Sequence, residues 1–212
     1  MEINLPEAEV KKGARTAPPE VRRKQLIDAT VTCVSKLGIS GTTLTAVTKE
    51  AGLSLGLANF HFKNKETLLN ETLNALAQEH RALWMKAHDR EDLSPVAKLC
   101  AIVDAQFHPS ICNRKKLAVW FAFFGEKTHR KAYRQSSAHV DLERLEASTD
   151  LCHLIISDGG YTGVEAEDVA SSLEALFDGF WLNILMYPAK FDREGASRQV
   201  FAYLKSVFPK HF

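Results

Sequence analysis

The chain has 212 residues, of which 45% are hydrophobic and 25% charged, the ordinary ratio for a soluble globular protein with a real core. A net charge of +1 excludes a molecule that is basic throughout, but the charge is unevenly placed. Residues 1–66 hold ten Lys or Arg against seven Asp or Glu, and the remainder holds 17 against 19, which suits a basic head on a mildly acidic body.

In chain order, residues 1–19 carry Pro6, Gly13, Pro18 and Pro19 with little apolar content and predict a flexible basic arm. Lys11, Lys12 and Arg15 of this arm can either follow a DNA minor groove or remain a solvated, disordered tail. From Glu20 the text turns helical. Leu26, Thr30, Cys33, Val34 and Leu37 share one face of a first helix, which Gly38 ends. Thr42 or Thr43 can cap a short second helix over Leu44 to Ala51, closed by Gly52. Ser54 then caps a third short helix reaching about His61. Residues 20–66 are therefore expected to form one small domain and 67–212 a larger helical one.

A long helix is expected from Asn64 past Trp84. Pro95 opens another that Pro109 breaks, and an aromatic helix covers roughly 113–125. One or two amphipathic helices follow over 128–157, ended by Asp158-Gly159-Gly160. Helices over Glu165 to Tyr187 and Arg193 to Val207 complete an all-α fold of about nine helices, with no strand.

Cys33, Cys100, Cys112 and Cys152 are scattered among apolar neighbours, without C-x-x-C pairs or metal-ligand spacing. They read as free thiols in a reducing compartment. Met1 to Lys12 has no apolar run of the secretory kind, and the apolar stretch Leu173 to Tyr187 is short and interrupted by Glu174 and Asp178. The expectation is a cytoplasmic protein with no membrane partner, no metal and no cofactor. Its histidines form no H-E-x-x-H pair, Gly38 to Thr43 lacks the lysine of a phosphate loop, and no nucleophile has an evident base, so an enzyme is not expected.

Short helix, glycine turn, short helix is a means of presenting the second helix to a DNA major groove. In the third helix Ser54, Gly56, Ala58, Asn59 and His61 are small or polar, whereas Leu53, Leu57 and Phe62 can anchor it. Small residues let such a helix sit deep, and its N-terminus favours phosphate. Asn59 can pair with a base edge, and His61 and Lys65 stand where a phosphate contact is useful.

The run Thr42-Thr43-Leu44, then Ala51-Gly52-Leu53-Ser54-x-Gly56, then Phe60-His61-Phe62-Lys63-x-Lys65-Glu66-x-Leu68 resembles the DNA-binding signature of the tetracycline-repressor (TetR) family. The resemblance implies an all-α homodimer that binds a double-stranded DNA operator and is released by a small-molecule inducer. By position it brings Thr43, Ser54, Leu55, Gly56, Ala58, Asn59, Phe60, His61 and Lys65 toward DNA. The family usually has a tyrosine at Asn59 or Phe60, whose hydroxyl meets a phosphate; here Phe60 can instead pack on sugar or a thymine methyl.

In the body, aromatics occur at almost every position of Trp120 to Phe124, and Trp84, Phe107, Tyr133, Phe177, Phe180, Trp181 and Tyr187 add to them. Most can be plain core; an apolar pocket with a few polar groups is the alternative. Asp178, set among Phe177, Phe180 and Trp181, is a carboxylate on an apolar stretch and so is either used in a site, salt-bridged or turned to solvent. Leu117 to Phe124, Thr128-His129-Arg130 with Arg134, and Glu174 to Leu182 look like the C-terminal domain of the betaine-type (BetI) regulators, which respond to choline and related quaternary ammonium compounds. That resemblance, with the cation–π chemistry of aromatic faces, gives a candidate ligand set of Trp84, Trp120, Phe123, Phe124, Phe177, Asp178 and Trp181. Leu173, Leu176, Phe180 and Ile184, with Phe201 and Leu204, are candidates for a four-helix dimer interface. Two other regulators stay open: one answering to an acyl chain or drug-like ligand, and one controlled by a protein partner.

Overall fold

A computed structural model describes residues 17–125, 131, 134, 138–187, 189 and 192–212. The basic residues Lys11, Lys12 and Arg15, the Thr128-His129-Arg130 stretch and Tyr133 lie outside the described residues. Among those described there are nine helices and no strand, as the periodicity predicts. They are α1 (Pro19–Gly41), α2 (Leu44–Ala51), α3 (Leu55–Phe62), α4 (Lys65–His88), α5 (Pro95–Phe107), α6 (Arg114–Gly125), α7 (Ala138–Gly159), α8 (Ala166–Met186) and α9 (Arg193–Val207).

The starts of these helices follow from local chemistry. Pro19 opens α1 and Pro95 opens α5, at positions where the missing N–H has no helical partner to lose. Thr43, Ser54, Asn64, Ser94 and Asp192 cap α2, α3, α4, α5 and α9, each side-chain oxygen accepting a backbone N–H three residues on.

Gly38 does more than stop a helix. It takes φ 69° and ψ 175° inside α1, after which one further turn forms and closes on Thr42, whose N–H and hydroxyl both donate to the Gly38 carbonyl. The break moves the apolar face by two residues. Leu37, expected inward, is 53% exposed, and Ile39 is buried in its place.

The side chains pack into two apolar clusters. The smaller joins Leu26, Ile27, Ala29 and Cys33 of α1 to Val47 of α2, Ala58 and Phe62 of α3, and Leu68 of α4. The larger fills the body, centred on Trp84, Leu99, Ile102, Leu117, Phe123, Leu151, Leu173 and Phe177. Two helices serve both. α1 gives Val31 and Val34 to the larger cluster, and α4 gives Leu69, Leu73 and Leu76 to it directly after Leu68. α1 packs on α2, α4 and α6, while α7 and α8 pack on each other and, through α5 and α6, onto the rest.

α8 has 21 residues and is apolar enough to cross a membrane on length and composition alone. Here Val169, Ala170, Leu173, Phe177, Trp181 and Ile184 form a buried stripe along it, the arrangement of a core helix. All four cysteines are free, three of them buried.

The Gly38 conformation lies in a region open essentially to glycine alone, and nothing stands within 4 Å of where a Cβ would be. Gly38→Ala therefore tests backbone strain without a clash. We expect a loss of about 1–3 kcal/mol in chemical denaturation, and an unchanged midpoint would refute the strained geometry.

Candidate DNA-binding face and ligand cavity

α2 and α3 are short because each is capped and each is followed by a positive φ. Gly52 closes α2 in the left-handed conformation, at φ 65° and ψ 32°, and Leu53 N–H returns to the Thr48 carbonyl. The chain then enters α3 through Ser54, with Ala58 and Phe62, one turn apart, facing the small core. The opposite face carries Ser54, Leu55, Gly56, Asn59 and Phe60, all exposed, with Phe60 at 77%. Thr43 is exposed at the start of α2, and His61 is half-buried.

One sequence assignment is corrected here. Ala58, grouped with the DNA-facing positions, is fully buried, so its methyl belongs to the small core and touches nothing outside. Lys65 is half-buried, with its Nζ donating to the Ser40 carbonyl at 3.3 Å, which ties the start of α4 to the end of α1. The basic run near the N-terminus is also partly spent within the chain. Arg23 pairs with Glu71 at 2.6 Å and lies over the Phe62 ring, and Lys24 pairs with Asp28.

The turn from α3 into α4 is tight. Lys63 has φ 58° and ψ −47°, the one positive φ on a residue other than glycine among the described residues. It is the centre of a γ-turn in which Asn64 N–H donates to the Phe62 carbonyl at 2.5 Å. Asn64 then caps α4 by accepting from Thr67 N–H at 2.8 Å.

In the body, a cavity of about 130 Å³ is enclosed by His80 of α4, Gln106 of α5, Trp120 and Phe124 of α6, Asp141 and Arg144 of α7, and Glu174, Phe177, Asp178 and Trp181 of α8. Of the expected ligand set, Trp120, Phe124, Phe177, Asp178 and Trp181 thus meet at one place. Trp84 and Phe123 do not. Both are completely buried in the core, Trp84 against the His88 ring, because aromatic character alone does not say which way a helix turns its side chain.

The cavity's charges were not foreseen as a group. Arg144 is 6% exposed, and its guanidinium donates to both carboxylate oxygens of Glu174, at 3.0 and 2.5 Å, and to Asp141 at 3.1 Å. Burial works against its charge, but the Glu174 hydrogen bonds and the adjacent carboxylates hold it protonated. Burial pushes the Asp141 carboxyl up to about 6, with Glu174 and Asp178 adding to the rise and Arg144 opposing it. Asp178, at the solvent side, is also raised, by desolvation and then by Glu174. His80 is held neutral, since burial and the nearby guanidinium both lower its pKa well below the usual value. Among the described residues the wall sets three carboxyl groups against one guanidinium. Its apolar part is aromatic, a setting suited to an organic cation.

The expected dimer residues divide. Leu173, Ile184 and Leu204 are buried in the body core of a single chain, so they support the outer surface from beneath. Leu176, Phe180 and Phe201 are half-buried, and Leu182, Met186 and Tyr187 are exposed on or beside α8.

A capped helix-turn-helix on a helical body with its own cavity defines a ligand-responsive transcriptional regulator. Residues 26–72 match the bacterial regulatory proteins of the tetR family, and residues 95–209 match the C-terminal domain of BetI-type transcriptional repressors. The HTH-type transcriptional regulator BetI of Paraburkholderia phymatum is 34% identical over 185 residues, 87% of this chain and 92% of that protein. The chain belongs to the BetI-type repressors of the TetR family. Among solved structures, a transcriptional regulator from Pseudomonas aeruginosa PAO1 is 27% identical with a TM-score of 0.75, covering 95% of this chain and 97% of that one. A regulator from Saccharomonospora viridis, solved in complex with choline, shares the fold at 16% identity and a TM-score of 0.69, covering 88% and 96%.

Lys63→Gly is expected to raise stability by about 1 kcal/mol, because release of ~1–3 kcal/mol of strain exceeds the ~0.5–1 kcal/mol entropic cost of glycine. A lowered thermal midpoint would count against the strained turn.

Proposed function

We propose that the chain is a homodimeric repressor whose grip on a palindromic operator is weakened when a quaternary ammonium compound such as choline fills the body cavity. The observation that carries the ligand class is the wall itself: among the described residues, three carboxyl groups stand against one guanidinium, closed by Trp120, Phe124, Phe177 and Trp181. Such a wall favours a positive charge that cannot be hydrated once enclosed, at ~0.5–2 kcal/mol per cation–π contact. The choline-bound relative of the same fold supports this ligand class. A volume of about 130 Å³ is below the ~300–1,000 Å³ of sites for drug-sized ligands, which argues against an acyl chain in this cavity.

On the head, Ser54, Leu55, Gly56, Asn59 and Phe60 form the face offered to the major groove, with Thr43, His61 and Lys65 at its margins. Phe60, with no hydroxyl and most of its ring in water, is matched to an apolar partner such as a thymine methyl. Dimerisation through α8 and α9 would cover Leu176, Phe180 and Phe201 and set two heads about 34–36 Å apart, one DNA turn.

Trp120 and Trp181 in the wall provide the readout. Choline is expected to change their fluorescence saturably and to release the protein from its own upstream DNA in anisotropy measurements. The neutral isostere 3,3-dimethylbutan-1-ol should do neither. Equal responses to the two compounds would overturn the cation assignment, and DNA release by neither would overturn the inducer.

Ionised Asp141 belongs to the cation-bound state. Facing it are Arg144 on its own helix, Glu174 and Asp178 on α8, and neutral His80 on α4. Choline affinity should therefore be full above about pH 7 and fall as pH drops through about 6, where Asp141 takes up a proton. A flat profile across that range would remove Asp141 from the cation site.

A further inference from the structure

Two polar groups of the cavity wall are buried without a hydrogen-bond partner. His80 is 3% exposed and Gln106 is 1% exposed, and both line the cavity. Among the described residues, neither His80 Nε2 nor Gln106 Nε2 has a partner. Buried polar atoms are nearly always paired, so an orphan on a cavity wall marks a place where something is received. Trp84 Nε1 and Ser148 Oγ are likewise unpartnered, but neither lines the cavity.

The neighbours fix what these two groups offer. A guanidinium can only donate, and Arg144 Nη1 stands 3.5 Å from His80 Nδ1. Nδ1 is therefore the acceptor, and the single proton of the neutral ring is on Nε2. Gln106 is held by its backbone, whose carbonyl accepts the Trp181 indole N–H at 2.9 Å. The Trp181 ring in turn packs against the His80 ring, with centroids 5.7 Å apart. Trp181 thus touches both residues, which bring an imidazole N–H and an amide NH₂ to the same cavity wall. The carboxylates of Asp141, Glu174 and Asp178 supply the opposite chemistry on α7 and α8.

We propose that His80 and Gln106 form an oxygen subsite, so that the cavity selects a quaternary ammonium compound carrying a hydroxyl or carbonyl oxygen over one that carries only carbon. This rests on the quaternary ammonium reading above and adds a second point of recognition to it. A methyl in place of the oxygen would fill the same space but leave two buried donors unmet, the situation in which sites reject an analogue most strongly.

Choline and n-propyltrimethylammonium make the test, since they differ by a hydroxyl against a methyl at nearly equal size and identical charge. Titration of the full chain by tryptophan fluorescence is expected to favour choline by about tenfold to a hundredfold. Gln106→Leu, close in shape and without the amide, should lose most of that preference by weakening choline and not the propyl compound. Its thermal midpoint should not fall, because the change removes an orphan polar group. Equal binding of the two compounds by the unmodified protein would overturn the subsite while leaving the cation site standing. Full preference retained by Gln106→Leu would remove Gln106 from it. Binding of neither compound would overturn the quaternary ammonium reading and the subsite together.

Discussion

The buried guanidinium of Arg144 is the group on which the body depends. It is a full charge with almost no access to water, and such a charge is tolerable only when fully paired. Glu174 meets it with both oxygens, which ties α7 to α8, and Asp141 on its own helix meets it with one. Burial, and then the same cation facing Nδ1, keep the His80 ring on α4 neutral. Removing Arg144 would take away the guanidinium that opposes the upward shifts of Asp141 and Asp178. With it in place, burial raises the Asp141 carboxyl only to about 6.

The head was legible in the sequence because its determinants are local. Thr43, Gly52, Ser54 and Asn64 act on backbone groups within three or four residues, so their spacing announces two short helices and a turn. Ala58 was misplaced because small residues serve equally well under a DNA backbone and under a neighbouring helix. Only the register of Ala58 with Phe62 separates the two. The cavity was half legible. Aromatics on α6 and α8 signalled it, but Asp141 and Arg144 sit in a run with Glu143, Glu146 and Asp150 that reads as the wet side of an amphipathic helix. The partner that draws Arg144 inward is Glu174, thirty residues along the chain, and no local pattern connects them. His80 and Gln106 were missed for a related reason, since an unmade hydrogen bond leaves no mark in a sequence.

The burial pattern also separates support from surface on α8 and α9. Leu173, Ile184 and Leu204 are the most apolar-looking candidates for an interface, yet a single chain already uses them. An amphipathic stripe wider than one face therefore has two tasks. Its centre closes the core, and its flanks, with Leu176, Phe180 and Phe201, are left half covered.

α4 runs without a break from Lys65, tied to the end of α1, to His88, and His80 in its fifth turn lies on the cavity wall. From His80 to Lys65 the helix axis is roughly 22 Å long at ~1.5 Å per residue. A rod of that length converts angle into arc. A tilt of about 3° pivoting near His80 sweeps the Lys65 end by roughly 1 Å. The γ-turn at Lys63 leaves almost no slack to absorb that sweep before it reaches α3.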